Sequence, residues 1–306
     1  MKITIRTVDS LGCAVAGSAV IHSLRKKFSC ADIVVVTPFV SLFYGIPGIV
    51  IIHSDEYPHR KFHVDLRNYT KRRPHSSVPR RPSYVHMHQM AIEQIGEELP
   101  LTRPKLYLSS EELFRAKREL SKFPKDIVWI QTRTNSNNRH WGPNNWSRLS
   151  SDLGHQYQFL DLSKSNYSLR ESLAIAKVSR AGICLDSFLV HGSAAVGAKN
   201  VLVLLGSSHP TCVTYPEQTV MYVKTSCPAQ PCGMHGYTTG CSPKDEKRFF
   251  TALDGCIFDT PVCMNALKYD DVKSSLFRML DGGQFLEPKE HILVAEETVN
   301  SLNPTN

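Results

Sequence analysis

Short apolar runs alternate with helical patterns along this chain, and each half of the chain contains its own series of these alternating segments. In the first half, Lys2 to Arg6 alternates apolar and polar residues, and Gly12 opens a small-residue helix that ends at Lys26-Lys27. Three further strand-like runs follow, at Asp32 to Val36, Gly48 to Ile52 and Phe62 to Leu66. Alternating strands and helices are typical of parallel sheets, so the first half predicts an α/β domain.

The second half repeats this pattern after a break. Helical residues from Tyr84 to Leu99 are followed by a linker at Pro100 to Pro104 and by a capped helix that runs to Ser121. The strands are then predicted at Ile127 to Gln131, Phe159 to Leu162, Gly182 to Leu185 and Val201 to Leu205. The intervening helices are predicted near Asn145 to Leu153, Leu169 to Ser179 and His191 to Val196. This order predicts a second doubly wound parallel sheet.

A chain of 306 residues is long enough for two domains of roughly 120 to 150 residues each. We predict an N-terminal Rossmann-like domain at residues 1–105, a linker helix at 106–125, a C-terminal Rossmann-like domain at 126–285 and a tail at 286–306. Neither half contains GxGxxG or GxxxxGK[ST], which argues against a dehydrogenase or a P-loop NTPase.

Composition indicates a globular protein with a basic surface. Hydrophobic residues make up 42% of the chain and charged residues 21%, and no run approaches the roughly 20 apolar residues that span a bilayer. We therefore expect a cytoplasmic protein without a signal peptide. The formal net charge of +8 favours a polyanionic partner, whether phosphorylated lipid, lipopolysaccharide or nucleic acid.

Three polar clusters follow three strands of the second half. They are Thr132 to Trp146, Asp186 to Ala195 and Gly206 to Pro210. In a doubly wound sheet the ligand lies beyond the carboxyl ends of the strands, where helix N-termini offer free N–H groups to phosphate. The alternatives are structural: a helix cap at Asn144 or Asn145, an Asp-Ser cap with His191 in the core, and a simple turn.

Five of the nine cysteines crowd into the segment from Cys227 to Cys263. In an apparently intracellular chain this clustering favours metal over disulfides, because four thiolates can hold zinc or iron tetrahedrally, although the spacings do not form a clean CxxC pair. The predicted ligands of this structural Zn or Fe are Cys227, Cys232, Cys241 and Cys263, with Cys256 as the substitute for Cys241. Free thiols in a Pro- and Gly-rich loop are the alternative.

The order of the polar clusters resembles glycosyltransferase family 9, the heptosyltransferases of lipopolysaccharide synthesis. RHWGPNNWSRL is similar to the family's basic-x-Trp-Pro…Trp element. SLRESLAIAKVSRAGICLDSFLVHGSAA is similar to its helix, strand and Asp-Ser/Thr-Gly…His signature, and LLGSSHP to its Gly-Ser/Pro-Thr-Asp-Pro turn. The resemblance covers most of the chain.

This resemblance implies a GT-B fold, in which two Rossmann-like domains face each other across a cleft. It also implies inverting sugar transfer that requires no cofactor, with a nucleotide diphosphate-sugar as donor in the C-terminal domain. The donor-binding residues that it implies are Thr134, Asn135, Arg139, Asp186, Ser187 and His191, with Ser207 and Ser208 at the border of the site.

Two positions depart from the family pattern. Phe188 replaces the usual Gly of the donor signature, and Cys13 follows Gly12 where the family carries its catalytic Asp. We therefore take Asp9, in the same loop, as the general base that receives the acceptor proton. A helix or turn cap is the other interpretation of Asp9.

A basic loop is predicted to contact the anionic acceptor, since its prolines and positive charges rule out a buried element. Its candidate acceptor-binding residues are Lys71, Arg72, Arg73, Arg80 and Arg81. The alternative for this loop is a solvated charged surface.

Three classes of function remain open at this point. The first is transfer of a hexose or heptose to a lipopolysaccharide-type acceptor, or, as in phage glucosyltransferases of GT-B fold, to a hydroxymethylated base of DNA. The second is a non-catalytic nucleotide-binding protein on the same fold, suggested by Cys13 and Phe188. The third is a nucleic-acid-binding scaffold in which the cysteines form a zinc ribbon.

Overall fold

Two parallel β-sheets organise the chain in a computed structural model that describes residues 1–59, 61–67, 69, 81–227, 230–232, 256, 258 and 260–281. The first sheet has the order β3-β2-β1-β4 and contains β1 (Lys2–Arg6), β2 (Asp32–Thr37), β3 (Ile49–His53) and β4 (Val64–Asp65). The second has the order β6-β5-β7-β8-β9 and contains β5 (Ile127–Ile130), β6 (Gln158–Asp161), β7 (Ala181–Leu185), β8 (Val201–Leu205) and β9 (Thr219–Tyr222). Every strand pair is parallel, which confirms the predicted fold class.

Helices connect and flank these strands. They are α1 (Leu11–Lys27), α2 (Ser83–Ile95), α3 (Ser110–Leu120), α4 (Pro143–Leu153), α5 (Leu169–Val178), α6 (Phe188–Val196), α7 (Pro210–Val213), α8 (Val262–Asn265) and α9 (Tyr269–Leu280). Two short 3-10 helices lie at Val40–Phe43 and Asn137–Arg139. Helix α3 comes between the last strand of the first sheet and the first strand of the second along the chain. Its role as a linker at 106–125 and the limits of the two domains stay predictions.

Local sequence signals explain where several helices begin. Capping boxes start α3 and α5: Ser109 and Ser168 accept from the amides of Glu112 and Glu171, whose carboxylates accept from the capping residues' own amides. Each box satisfies two N–H groups that the helix itself leaves without partners. These caps fix the N-terminal ends of two helices that pack against each other.

Three predicted boundaries were wrong. Helix α6 begins at Phe188, three residues before the predicted His191, because Ser187 is its N-cap. Helix α4 begins at Pro143 behind Gly142, whose φ of 85° suits glycine, so neither Asn144 nor Asn145 is the cap. Strand β4 has only two residues, because the ring of His63 takes the amide of Thr4 that a longer ladder would use.

The apolar core extends through both halves of the chain. One cluster of buried side chains includes Ile5 and Val35 of the first sheet together with Leu173 of α5 and Val203 of the second sheet. A second cluster lies on the other face of the second sheet, under α4 and α9. The two sheets are therefore joined by a shared core, with α1 and α6 in contact between them.

Candidate active site

A cavity of about 560 Å³ lies where the loop before α1 meets the carboxyl ends of β5, β6 and β7. Residues of both halves line it. From the first half they are Ser10, Leu11, Gly12 and Cys13; from the second half they are Gln131, Arg133, Thr134, Asn135, Arg139, Ser163, Asp186, Ser187, Phe188 and His191. Six of the predicted donor-binding residues thus meet in one cavity: Thr134, Asn135, Arg139, Asp186, Ser187 and His191.

Two helix N-termini converge on this cavity. Helix α1 begins at Leu11 and α6 at Phe188, and both residues line the wall. Ser187 caps α6 by accepting from the Leu189 amide at 3.4 Å, while its hydroxyl donates to Gln131 Oε1 at 2.6 Å. A helix N-terminus carries partial positive charge and N–H groups without intrahelical partners. Two of them in one cavity favour an anionic ligand.

The two helix ends approach so closely because Gly12 has no side chain. A Cβ placed on Gly12 would lie 3.1 Å from His191 Cδ2 and 3.5 Å from Phe188 Cα. Any larger residue would push α6 away or force His191 to move. Gly12 therefore allows the two halves of the chain to approach closely, and its contact with α6 forms one edge of the cavity.

Arg139 and Asp186 form the charged centre of the site. The guanidinium donates from Nη1 to the carbonyl of Asp186 at 2.8 Å, and its Nε lies 3.6 Å from Asp186 Oδ2. The carboxylate also accepts a hydrogen bond from the hydroxyl of Ser208. Arg139 Nε is buried and has no hydrogen-bond partner among the described residues. Asp186 therefore holds Arg139 at the cavity wall, where the guanidinium can meet a phosphate.

Ser207 and Ser208, the other two predicted donor residues, lie behind Asp186 and do not line the cavity. Both are buried, and Ser207 Oγ has no hydrogen-bond partner among the described residues. Their position after β8 places them beside the carboxylate rather than at the open face. In this structure Ser208 supports the ion pair of Asp186 with Arg139.

His191 contributes a neutral ring to the cavity wall. Burial lowers its pKa to about 4, although the nearby charge of Asp186 acts in the opposite direction. The Nδ1 atom lies 2.9 Å from the hydroxyl of Tyr215, which in turn stacks on Tyr84 of α2 at a centroid distance of 6.0 Å. The imidazole is therefore uncharged at neutral pH and belongs to a chain of rings that crosses between the two halves.

Asp9, the predicted base, lies at the rim of the site. Its carboxylate is 2.5 Å from Arg6 Nη2, its side chain is 60% exposed, and the neighbouring Ser10 lines the cavity while Asp9 itself does not. The N-cap of α1 is Ser10, so Asp9 is not the cap of that helix. Cys13, where the resembled family has Asp, is buried with its Sγ 3.0 Å from the hydroxyl of Tyr69.

The predicted acceptor loop lies mostly outside the described residues. Lys71, Arg72, Arg73 and Arg80 belong to that undescribed part, and Arg81 is exposed just before α2. The contact of this loop with an acceptor stays a prediction.

The cysteine segment is described in part, and Cys241 lies outside the described residues. Burial is the main cause that raises the pKa of Cys263 to about 12, and the nearby charges of Cys232, Cys256 and Cys227 contribute to the same shift. These thiols are therefore near enough to affect one another. In the part of the chain that the structure describes, no three His, Cys, Asp or Glu side chains are placed to hold a metal ion.

Ser10 and two polar residues that the second half contributes to the cavity escaped the sequence analysis. Gln131 follows β5 and orients Ser187, and Ser163 follows β6 and donates to Asp161 at 2.6 Å. Both follow the end of a strand, which was the available signal. Gln131 directly precedes the polar run that begins at Thr132, and Ser163 begins a shorter polar stretch. The parallel register of β5, β6 and β7 brings the two residues to one edge of the sheet.

None of the helices in the described ranges has both the length and the apolar character that crossing a bilayer requires.

Comparison with known proteins gives matches at the level of structure. No protein-family model matches the sequence, and no curated protein matches it. The ADP-heptose lipopolysaccharide heptosyltransferase II of E. coli superposes with a TM-score of 0.62 at 14% identity, over 92% of this chain and 98% of that one. A glycosyltransferase of family 9 from Veillonella parvula gives 0.61 at 11% identity, over 91% and 97%.

A third solved structure is the dodecameric iron-containing heptosyltransferase TibC of enterotoxigenic E. coli, in complex with ADP-D-β-D-heptose. It superposes with a TM-score of 0.65 at 14% identity, over 91% of this chain and 76% of TibC. All three similarities run through both sheets. The chain therefore has the GT-B fold of these heptosyltransferases, with two Rossmann-like domains and the cavity between them.

Proposed function

We propose that this chain is a glycosyltransferase that moves a sugar from a nucleotide diphosphate-sugar to a hydroxyl of an anionic acceptor, with inversion. The observation that carries the proposal is the convergence of two helix N-termini and Arg139 on one cavity between the domains of a GT-B fold. A diphosphate has the charge and the oxygen acceptors that such a site binds. ADP-heptose is the first donor to test, since TibC was solved with ADP-D-β-D-heptose.

The chemistry follows from where the charges lie. The acceptor oxygen attacks the anomeric carbon from the face opposite the diphosphate, while the bond from that carbon to the diphosphate oxygen breaks. The nucleoside diphosphate leaves with one more negative charge, which the helix N-termini and Arg139 stabilise. Asp9 receives the acceptor's proton from the rim, where Arg6 holds its carboxylate.

Donor binding is tested by thermal shift with ADP, UDP, GDP and their sugars. A donor at 100 times its Kd stabilises the folded state by about 2.7 kcal/mol. Arg139→Ala removes charge-assisted hydrogen bonds worth about 1.5–3 kcal/mol, so we expect donor affinity to fall by roughly 10- to 100-fold. Arg139→Lys keeps the charge, so its donor affinity should lie between those of the wild type and Arg139→Ala. Arg148→Ala is the control, because Arg148 is exposed and pairs with Asp270 outside the cavity.

Turnover separates the proposal from its alternatives. We expect Asp9→Asn to bind the donor with near wild-type affinity and to lower the transfer rate by about 10²–10⁴-fold. Donor binding without transfer to a lipopolysaccharide core sugar or to duplex DNA bearing hydroxymethylated bases would favour the non-catalytic class. If no nucleotide diphosphate stabilises the wild-type chain, or if Arg139→Ala binds it equally well, the proposal is wrong.

We also propose a structural Zn or Fe at the cysteine segment, independently of catalysis. The mutual influence of the Cys227, Cys232, Cys256 and Cys263 thiols supports it, and so does the iron of TibC. Because the described thiols are not arranged around an ion, binding requires Cys241 or a shift of these segments. Metal analysis should find one ion per chain, lost in Cys263→Ser and kept in Cys30→Ser, whose thiol is exposed elsewhere. A chain purified without metal, and unaffected by chelators, contradicts this proposal.

A further inference from the structure

Arg170 of α5 uses all of its guanidinium donors on groups from three parts of the chain. Its Nε and Nη2 bind the two carboxylate oxygens of Glu112 in α3, the latter at 2.6 Å. Nη2 also donates to the carbonyl of Tyr107 at 2.7 Å. Nη1 donates to the carbonyls of Ser41 at 3.1 Å and Tyr44 at 3.3 Å. A guanidinium has five N–H groups, and these five bonds occupy them.

These partners lie on different bodies of the fold. Ser41 belongs to the 3-10 helix after β2 in the first sheet's domain, and Tyr44 is the C-cap of that helix. Tyr107 belongs to the connecting segment and Arg170 to the second sheet's domain. The side chain of Arg170 is only 12% exposed, so the bonds are shielded from water. A planar fork that binds a carboxylate bidentately has a fixed direction, which a lysine ammonium does not reproduce.

The orientation of the two domains determines the cavity. Ser10 to Cys13 come from one domain, and Arg139, Asp186 and His191 come from the other. Gly12 and His191 approach so closely that a Cβ added at Gly12 would lie 3.1 Å from His191 Cδ2. A small rotation of one domain therefore changes the distance between the two helix N-termini. Among the described residues, the hydrogen-bond partners of Arg170 do not line the cavity, so its influence on the site is indirect.

We propose that Arg170 is a positioning residue that fixes the orientation of the two domains and thereby assembles the cavity. Its effect on orientation follows from the contacts alone, whereas its effect on turnover rests on the proposed sugar transfer. Most donor-facing groups lie on the second domain, so loss of Arg170 should lower kcat much more than donor affinity. A displacement of about 1 Å at a reacting centre costs on the order of 100-fold in rate, and we expect a loss of that order.

Hydrogen exchange tests the orientation without any substrate. The Leu106 amide donates to the carbonyl of Ala195 at 2.9 Å across the same interface, and the Tyr44 amide to that of Ser41 at 3.3 Å. In Arg170→Ala and Arg170→Lys, peptides that contain residues 41–46 and 103–108 should exchange faster, while the β8 strand (Val201–Leu205) keeps its protection. A merely destabilised protein would lose protection in β8 as well. Glu112→Gln, which leaves the arginine in place, should show a weaker form of the same pattern.

Arg115→Ala is the matched control, because Arg115 pairs with the adjacent Glu111 on α3 but is 67% exposed. It should leave both exchange and turnover unchanged. The proposal is overturned if Arg170→Lys exchanges like wild type at both interface peptides, or if protection is lost uniformly. If the Arg170 variants exchange faster at the interface but the wild-type chain transfers no sugar, the positioning role is supported and the proposed function is contradicted, so the two failures are distinguishable.

Discussion

Gly182 shows how one residue sets the spacing inside the second sheet. It pairs with Trp129 of the neighbouring strand, and a Cβ at position 182 would lie 1.8 Å from Trp129 Cε2. Both residues are fully within the sheet, and Trp129 is completely buried. The indole therefore occupies the volume that any side chain at 182 would need, which is why a strand interior tolerates glycine here.

We expect Gly182→Ala to lower the free energy of unfolding by about 3 kcal/mol or more, because overpacking of a core already costs about 1–3 kcal/mol. Urea denaturation measures this loss. Adding Trp129→Phe removes the ring atoms that collide with the new methyl group, so the double variant should be more stable than Gly182→Ala alone. A single variant as stable as wild type would show that the sheet moves apart at little cost.

The sequence analysis identified residues of the site better than it identified their roles. Arg139, Asp186 and His191 were named from motifs, and the structure places all three around one cavity. The motifs did not show that Asp186 is buried and holds Arg139, because an ion pair between residues far apart in the chain depends on the sheet order. The motifs also named Ser208 as a residue that binds the sugar donor, whereas its hydroxyl donates a hydrogen bond to Asp186.

At the scale of elements, α3 and α5 pack together through one carboxylate that has two tasks. Glu112 closes the capping box of α3 by accepting from the Ser109 amide at 2.7 Å, and it also receives the fork of Arg170. The hydrogen bond with Arg170 is the main cause that lowers the pKa of Glu112 to about 2, from an ordinary 4.5. The N-terminal cap of α3 and the packing of α3 against α5 therefore both depend on the ionisation of Glu112.

This linkage predicts a pH dependence. A carboxyl whose pKa is lowered by folding stabilises the protein above pH 4.5, and this contribution is lost as the pH falls towards 2. The difference in unfolding free energy between wild type and Glu112→Gln should therefore be constant above about pH 5 and shrink as the pH falls to about 3. Urea denaturation across this range measures it. Glu111→Gln, at an exposed neighbour, should show a smaller difference, and a pH-independent gap for Glu112→Gln contradicts the assignment.

Periodicity predicted most elements within a few residues, and it failed where a side chain replaces a backbone group. The start of α6 was predicted at His191, whereas the Asp-Ser cap that the sequence also allowed agrees with the observed start at Phe188, since Ser187 is the N-cap and His191 is buried. The predicted strand from Phe62 to Leu66 shortens to Val64–Asp65, because the ring of His63 bonds to the amide of Thr4. The apolar pattern of the sequence does not show either of these hydrogen bonds between a side chain and the backbone.

For the whole molecule, the sequence predicted two compact lobes, whereas the structure has a core cluster that belongs to both. An apolar pattern shows that an element has a buried face but not which element covers that face. Helix α1 illustrates this, since 11 of its 17 residues are buried, more than one sheet face requires. The rest of its surface meets α2, α6 and the connecting segment.

This shared burial of α1 has a consequence for protein engineering. A two-domain architecture invites the construction of chimeras, in which the donor half of one enzyme is joined to the acceptor half of another. Here such a graft would place a foreign α6 against Gly12, where an added Cβ would lie 3.1 Å from His191. It would also place a foreign connecting segment against the buried Ser18 and Ala19, which accept hydrogen bonds from that segment. The two halves are thus matched as a pair. For the proposed sugar transfer, a change of acceptor specificity is better sought by substitutions within the loops than by exchange of a whole half.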